Sequence, residues 1–159
     1  MTMTRKSSLR LLASALLLGS VATLSSCYEN TPAANTAPIP PAPIQLTATL
    51  NGSQEKPTST TSTASGTFAG TIDRTSRVLS YTVTFTGITP TAGHLHRITN
   101  ADGTGPVTVP FSSLTSPITG TTSSLRQSQV DSMVAGQFYA NLHTPTYPAG
   151  EIRGDIRVK

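Results

Sequence analysis

The chain has 159 residues, of which 11% are charged and 5% aromatic, with no tryptophan and with 12 glycines and 12 prolines. This composition, also rich in Ser and Thr, favours a β-rich extracytoplasmic domain with many turns over a helical one. The formal charge of +4 comes mostly from the first ten residues, since residues 27–159 contain eight Lys and Arg and seven Asp and Glu, which nearly balance. The basicity belongs to the leader and is no argument for nucleic-acid binding, so no nucleic acid is expected as a partner.

Residues 1–26 have the plan of a secretory signal peptide. Three basic residues precede an apolar stretch from residue 11 to 24, which is shorter and weaker than the roughly 20 apolar residues of a membrane-spanning helix. The segment Leu24-Ser25-Ser26-Cys27 resembles the lipobox of bacterial lipoproteins, in which the cysteine is lipidated and becomes the mature N-terminus. The alternative is an ordinary signal peptide that leaves Cys27, the single cysteine, as a free thiol.

Residues 27–43 are predicted to be the lipidated Cys27, carrying palmitate, followed by a linker rich in Pro and Ala. Such a linker is semi-extended and builds no core. More than one acyl chain on the cysteine anchors a protein stably to a membrane. We therefore expect an extracytoplasmic domain that is lipid-anchored in a bacterial cell envelope. In a Gram-negative cell the absence of Asp after Cys27 favours the outer membrane.

The remaining residues, 44–159, show the alternation of apolar and polar side chains that is typical of half-buried strands. In "IQLTATL", Ile44, Leu46, Ala48 and Leu50 share one face, and the same two-residue period recurs along the chain between turn-forming clusters. Strands are predicted over residues 44–50, 66–73, 77–88, 92–98, 105–111, 136–143 and 151–159.

A single short helix is predicted near residues 128–135. Ser128 is the expected N-cap, Asp131 the acidic residue of the first turn, and Gly136 the residue at the C-terminal end.

The last strand, 151–159, alternates strictly. Its isoleucines face the core, and its charged residues are expected to form a ladder of alternating sign on the other face, where each exposed ion pair contributes roughly 0–1 kcal/mol. These residues are Glu151, Arg153, Asp155 and Arg157.

About seven or eight short strands at this spacing predict an all-β fold, an antiparallel sandwich or barrel. The segment 44–159 is long enough to build a core without disulfides or metal.

The three histidines of the chain are concentrated in two predicted strands. His94 and His96 project from one face of one strand, roughly 6–7 Å apart, and His143 lies on the polar face of another. If the strands are neighbours, the imidazoles can hold Zn or Cu, with water or Glu151 as a fourth ligand. The alternative is structural: the histidines hydrogen-bond across the sheet and fix loops.

Several blocks of the sequence resemble the CHRD domain, first described in chordin and widespread in bacterial secreted proteins. The family's L-x-G-x-Q-E-x-P pattern is matched from Leu50 to Pro57, its A-H-I-H segment by Gly93 to His96, and its closing Y-V-N-V-H-T…P-x-G-E-I-R-G-Q pattern by residues 139–144 and 148–155. The departures are Gly93 for Ala and Asp155 for Gln, and neither removes a histidine.

The resemblance covers essentially all of 44–159 and implies a β-sandwich-like fold, of immunoglobulin-like or superoxide-dismutase-like kind. It does not specify a reaction. A bimetallic dismutase site is excluded because three histidines are too few. The motif residues that the resemblance marks, besides the histidines and Glu151, are Gln54, Glu55, Asn141, Thr144, Gly150, Arg153 and Gly154.

Two functional hypotheses follow. In the first, the protein is a non-enzymatic binding or structural module of the envelope, with a protein or a polysaccharide as partner. In the second, it binds Zn or Cu through three histidines and has redox or hydrolytic activity. The sequence contains no G-x-S-x-G elbow and no cysteine outside the leader region, so no catalytic residue is assigned.

Overall fold

The computed structural model describes residues 38–159; the leader, Cys27 and most of the linker lie outside these residues. The strands are β1 (Ile44–Asn51), β2 (Ser65–Ile72), β3 (Leu79–Thr86), β4 (Ala92–Arg97), β5 (Val107–Pro110), β6 (Ile118–Thr121), β7 (Phe138–His143), β8 (Ile152–Asp155) and β9 (Arg157–Val158). A 3₁₀ turn, Gly52–Gln54, follows β1, and one α-helix, α1, spans Gln127–Val134. No helix within residues 38–159 is long and apolar enough to cross a membrane.

All nine strands belong to one curled antiparallel sheet in the order β5-β4-β7-β8-β1-β2-β3-β6, with β9 also pairing with β1. The prediction of an all-β antiparallel sandwich or barrel is therefore confirmed. Hairpins join β1 to β2 and β2 to β3 in continuous register, which the alternating sequence pattern requires because a slip of one residue would reverse every side chain.

The core lies on the concave side of the sheet. The residues of β1 alternate between buried and exposed, with Leu46 and Leu50 at most 2% exposed. Phe68, Leu79 and Ile118 from β2, β3 and β6 are fully buried in the same cluster. Helix α1 adds Val130 and Met133 to the cluster.

The structure corrects three details of the sequence analysis. Helix α1 begins one residue before Ser128, and its N-cap is Arg126, whose backbone N–H donates to the side chain of Gln129 at 3.0 Å. Strand β6 was not predicted, because only four residues pair with β3. The predicted strand 151–159 is divided at Ile156, whose N–H donates to the Phe138 carbonyl.

The expected ladder of charges is also only partly present. Asp155 forms ion pairs with Arg153 and Arg157, whereas Glu151 forms none among the described residues. Arg153 is 1% exposed, so it does not lie on an exposed face.

Candidate metal centre

The sheet order places the two histidine-bearing strands side by side. Strands β4 and β7 pair antiparallel, with His94 opposite Asn141, His96 opposite Tyr139 and Ala92 opposite His143. Residues that face each other across a ladder project to the same side of the sheet, so the three imidazoles meet on one side. One nitrogen from each ring lies within 4.8 Å of the others.

Two backbone carbonyls fix which nitrogens remain available. His96 Nδ1 lies 2.9 Å from the Gly105 carbonyl oxygen, and His143 Nδ1 lies 3.1 Å from that of Pro148. Because a carbonyl oxygen only accepts, each Nδ1 carries the proton and each Nε2 keeps its lone pair. The Nε2 of His96 is buried and has no hydrogen-bond partner among the described residues.

The third histidine completes the cluster. His94 Nδ1 lies 3.4 Å from His143 Nε2, and the His94 ring stands nearly perpendicular to His96 at a centroid distance of 5.4 Å. Desolvation lowers the pKa of all three histidines below the ordinary 6.5, with neighbouring histidines lowering those of His94 and His96 further. The cluster is therefore neutral at pH 7, the form in which imidazole binds metals.

Behind His96 stands a buried aromatic and cationic stack. The Tyr139 ring is parallel to His96 within 4°, at a centroid distance of 4.7 Å. The Arg153 guanidinium lies on the other face of Tyr139, with Cζ 3.6 Å from the ring centre. Arg153 Nη2 in turn donates to the Gly103 carbonyl at 2.8 Å and to Asp155 at 2.9 Å. These contacts explain why Arg153 is buried, and they hold the His96 ring in one orientation.

The loop whose Gly105 carbonyl accepts the hydrogen bond from His96 Nδ1 lies close to β4, and it can do so because Gly105 has no side chain. A Cβ on Gly105 would overlap the carbonyl oxygen of Arg97. The close approach of this loop to β4 therefore requires glycine, and it positions the carbonyl that holds the Nδ1 proton of His96. The sequence analysis predicted a strand from residue 105, whereas β5 begins at Val107 and Gly105 belongs to the preceding loop.

The structure does not bring Glu151 together with the histidines. Its carboxylate accepts from the Ser62 hydroxyl at 2.6 Å and from the Thr144 hydroxyl, and its backbone N–H donates to the Leu142 carbonyl at 2.8 Å. Both carboxylate oxygens are thus occupied. Glu151 ties the loop before β2 to the loop after β7.

The remaining motif residues make close contacts with neighbouring strands and loops. Gln54 Nε2 donates to the Thr49 carbonyl at 2.7 Å. Glu55 is 5% exposed and Asn141 3%, and both lie against Gly150, where φ is +138° and a Cβ would come within 2.6 Å of either side chain. Gly154 similarly lies against the Thr49 carbonyl. These residues form a hydrogen-bonded and closely packed scaffold.

Glu55 is the unexpected titratable group of this scaffold. Burial raises its pKa to about 7, although the Arg153 guanidinium, the Lys56 backbone and the Asn141 side chain oppose the shift. One carboxylate oxygen, Oε1, has no hydrogen-bond partner among the described residues. The sequence contains no signal for this pKa because the groups around Glu55 include Asn141 and Gly150, which are distant in the sequence.

The fold and the cluster define an all-β module in which three histidines from two adjacent strands share one side of the sheet. The chain matches the CHRD domain family over residues 46–156, and it belongs to that family. Membership suggests a binding or structural module. No curated protein and no solved structure matched the chain at significant similarity.

Proposed function

We propose that this CHRD domain binds one zinc or copper ion through His94, His96 and His143. The observation that carries the proposal is the pair of carbonyl hydrogen bonds, because they leave the Nε2 lone pairs of His96 and His143 free in a cluster whose ring nitrogens lie within 4.8 Å of one another. Histidines that ligate metals commonly donate their other N–H to a backbone carbonyl in this way.

One nitrogen–nitrogen distance supports the same proposal. Two nitrogens bound at about 2.0–2.1 Å to one tetrahedral ion lie about 3.3 Å apart. The His94 Nδ1 to His143 Nε2 distance is 3.4 Å, which is long for a hydrogen bond. The Nε2 of His96 is buried without a hydrogen-bond partner within residues 38–159, and a bound metal ion would offset the free-energy cost of removing this polar atom from water. Three protein ligands leave a fourth position for water.

The second candidate function is a metal-free binding or structural module, in which the histidines only tie loops to the sheet. The carbonyl bonds from His96 and His143 to the 99–106 and 144–150 loops favour it. Metal titration separates the two candidates.

The test is calorimetric titration of the full-length chain with Zn²⁺ and Cu²⁺, followed by metal analysis after dialysis. We expect one saturable site, which the triple substitution H94A/H96A/H143A removes. The control is Gln54→Ala, a motif substitution outside the cluster that should leave the stoichiometry at about one. Circular dichroism verifies that each variant is folded. If the wild-type chain shows no saturable site, the metal-binding function is rejected and the metal-free binding or structural module remains.

We also propose that the domain is displayed at a bacterial envelope through a lipid on Cys27, with the segment up to residue 43 as a spacer. The support is the lipobox-like segment and the basic, then apolar, leader. Labelled palmitate should be incorporated into the wild-type chain and not into Cys27→Ser. Equal labelling of both would contradict the anchor.

A further inference from the structure

Apart from the histidine cluster, a cleft of about 320 Å³ lies beside the strand that carries His94 and His96. Arg97, at the end of β4, and Arg126, the N-cap of α1, both line it. Thr99, Thr108 and Gln129 contribute polar side chains to the walls. None of the lining residues is acidic or aromatic.

Neither arginine of this cleft has an acidic partner within residues 38–159, because the ion pairs found there join Arg153 and Arg157 to Asp155. Arg97 Nε is moreover buried without a hydrogen-bond partner among the described residues. A buried guanidinium N–H without an acceptor is costly. The cleft is therefore lined by two arginines whose positive charge no carboxylate of the described residues neutralises.

The lining identifies the chemistry of that ligand. Guanidinium groups bind sulfate, phosphate and carboxylate through paired N–H donors, while Thr hydroxyls and a Gln amide match the hydroxyls of a sugar. The volume is at the lower end of the range for small-molecule sites, which suits a single sugar unit. We propose that the cleft binds a negatively charged sugar unit of an anionic polysaccharide.

Other polyanions fit the cleft less well. Single-stranded nucleic acid relies on aromatic side chains for stacking, and the cleft has none. Binding to an anionic membrane surface or to a duplex relies on a broad basic surface, whereas positive and negative residues are nearly balanced from residue 27 onward. The inference goes beyond the proposed metal site and is independent of it.

The experiment measures binding of the full-length chain to dextran sulfate, with uncharged dextran and anionic phosphatidylglycerol vesicles as separate arms. We expect binding to dextran sulfate and not to uncharged dextran, weakened about tenfold or more by Arg97→Gln with Arg126→Gln, since both guanidinium groups lose their charge-assisted hydrogen bonds to the sulfate groups. Vesicle binding, to which the basic and apolar leader contributes in every variant, should be the same in this double variant as in the wild type. The charge-matched control, Arg74→Gln with Lys159→Gln, should change the affinity less than about twofold. Every variant carries the same basic leader, so the contribution of the leader to binding cancels when the affinities of two variants are compared.

Equal weakening by both double variants, or binding to vesicles without binding to dextran sulfate, would overturn the proposal. If the Arg97→Gln variant fails to fold, the test uses Arg126→Gln alone, because Arg126 is exposed and its substitution should leave the fold intact. The triple histidine variant should bind dextran sulfate as the wild type does. That result keeps a failure of the cleft distinguishable from a failure of the metal site.

Discussion

Replacing Glu55 by glutamine tests the closely packed scaffold of motif residues. Glutamine keeps the shape of the side chain and removes its charge, so the variant no longer has to ionise a carboxyl that is 5% exposed. Burial raises the pKa of Glu55 from 4.5 to about 7 against the attraction of Arg153. A folded-state pKa above the unfolded value means that Glu55 favours folding below pH 4.5 and that this contribution is lost as the pH rises through about 7.

The magnitude follows from the two pKa values. At about 1.4 kcal/mol for each pH unit, the interval from 4.5 to about 7 corresponds to about 3 kcal/mol. The free energy of unfolding of E55Q minus that of the wild type should therefore rise by about 3 kcal/mol between pH 4 and pH 8. The histidines titrate in both proteins, so their contribution cancels in this difference.

The assay is urea unfolding of both proteins at pH 4, 5, 6, 7 and 8, followed by circular dichroism. The matched control is Asp102→Asn, because hydrogen bonds from Thr104 lower the pKa of this exposed carboxyl below 3.8. The same difference for this variant should stay nearly flat above pH 5. A difference for E55Q that falls with rising pH would refute the reasoning, since it would mean that Arg153 stabilises the charged Glu55 more than burial destabilises it.

Three further predictions concern the histidine cluster and its supports. Gly105→Ala should destabilise the fold by about 1–3 kcal/mol in urea unfolding, because the added Cβ overlaps the Arg97 carbonyl; an unchanged midpoint would contradict this close approach. Thr144→Val should cost about 1–3 kcal/mol, because it leaves one oxygen of the buried Glu151 carboxylate without its donor, and Thr144→Ser, which keeps the hydroxyl, should recover most of the loss. Zinc affinity should be constant from pH 8 to pH 7 and fall only below about 6.5, because desolvation lowers the pKa of each histidine; a fall already between pH 8 and pH 7 in calorimetric titrations would contradict neutral imidazoles.

Local alternation determined most of the strands. Residues 44–50 were predicted as a strand because each second side chain is apolar, and β1 has that pattern of burial. The same rule failed for Arg153, which alternation placed with exposed charges. Its burial depends on Tyr139 of the neighbouring strand β7, which offers an aromatic face to the guanidinium at 3.6 Å, and no pattern within residues 151–159 contains that information.

The candidate site shows the same division. The spacing of His94 and His96 was enough to place both rings on one side of a strand. Whether His143 joins them depended on the pairing of β4 with β7, which the sequence left open and the structure provides. The expectation that Glu151 lies near the rings did not account for Ser62 and Thr144, whose hydroxyls occupy its oxygens.

The sequence by itself determined the all-β class, the extent of the CHRD domain and the identity of its three histidines, because these depend on residue types and on a local two-residue period. Only the tertiary structure decided which nitrogens remain available, since the Gly105 and Pro148 carbonyls reach His96 and His143 from loops. It alone also decided the pKa of Glu55 and the fact that Arg97 and Arg126 line the same cleft. Burial and the meeting of distant segments are properties of strand order, which alternation along one strand does not encode.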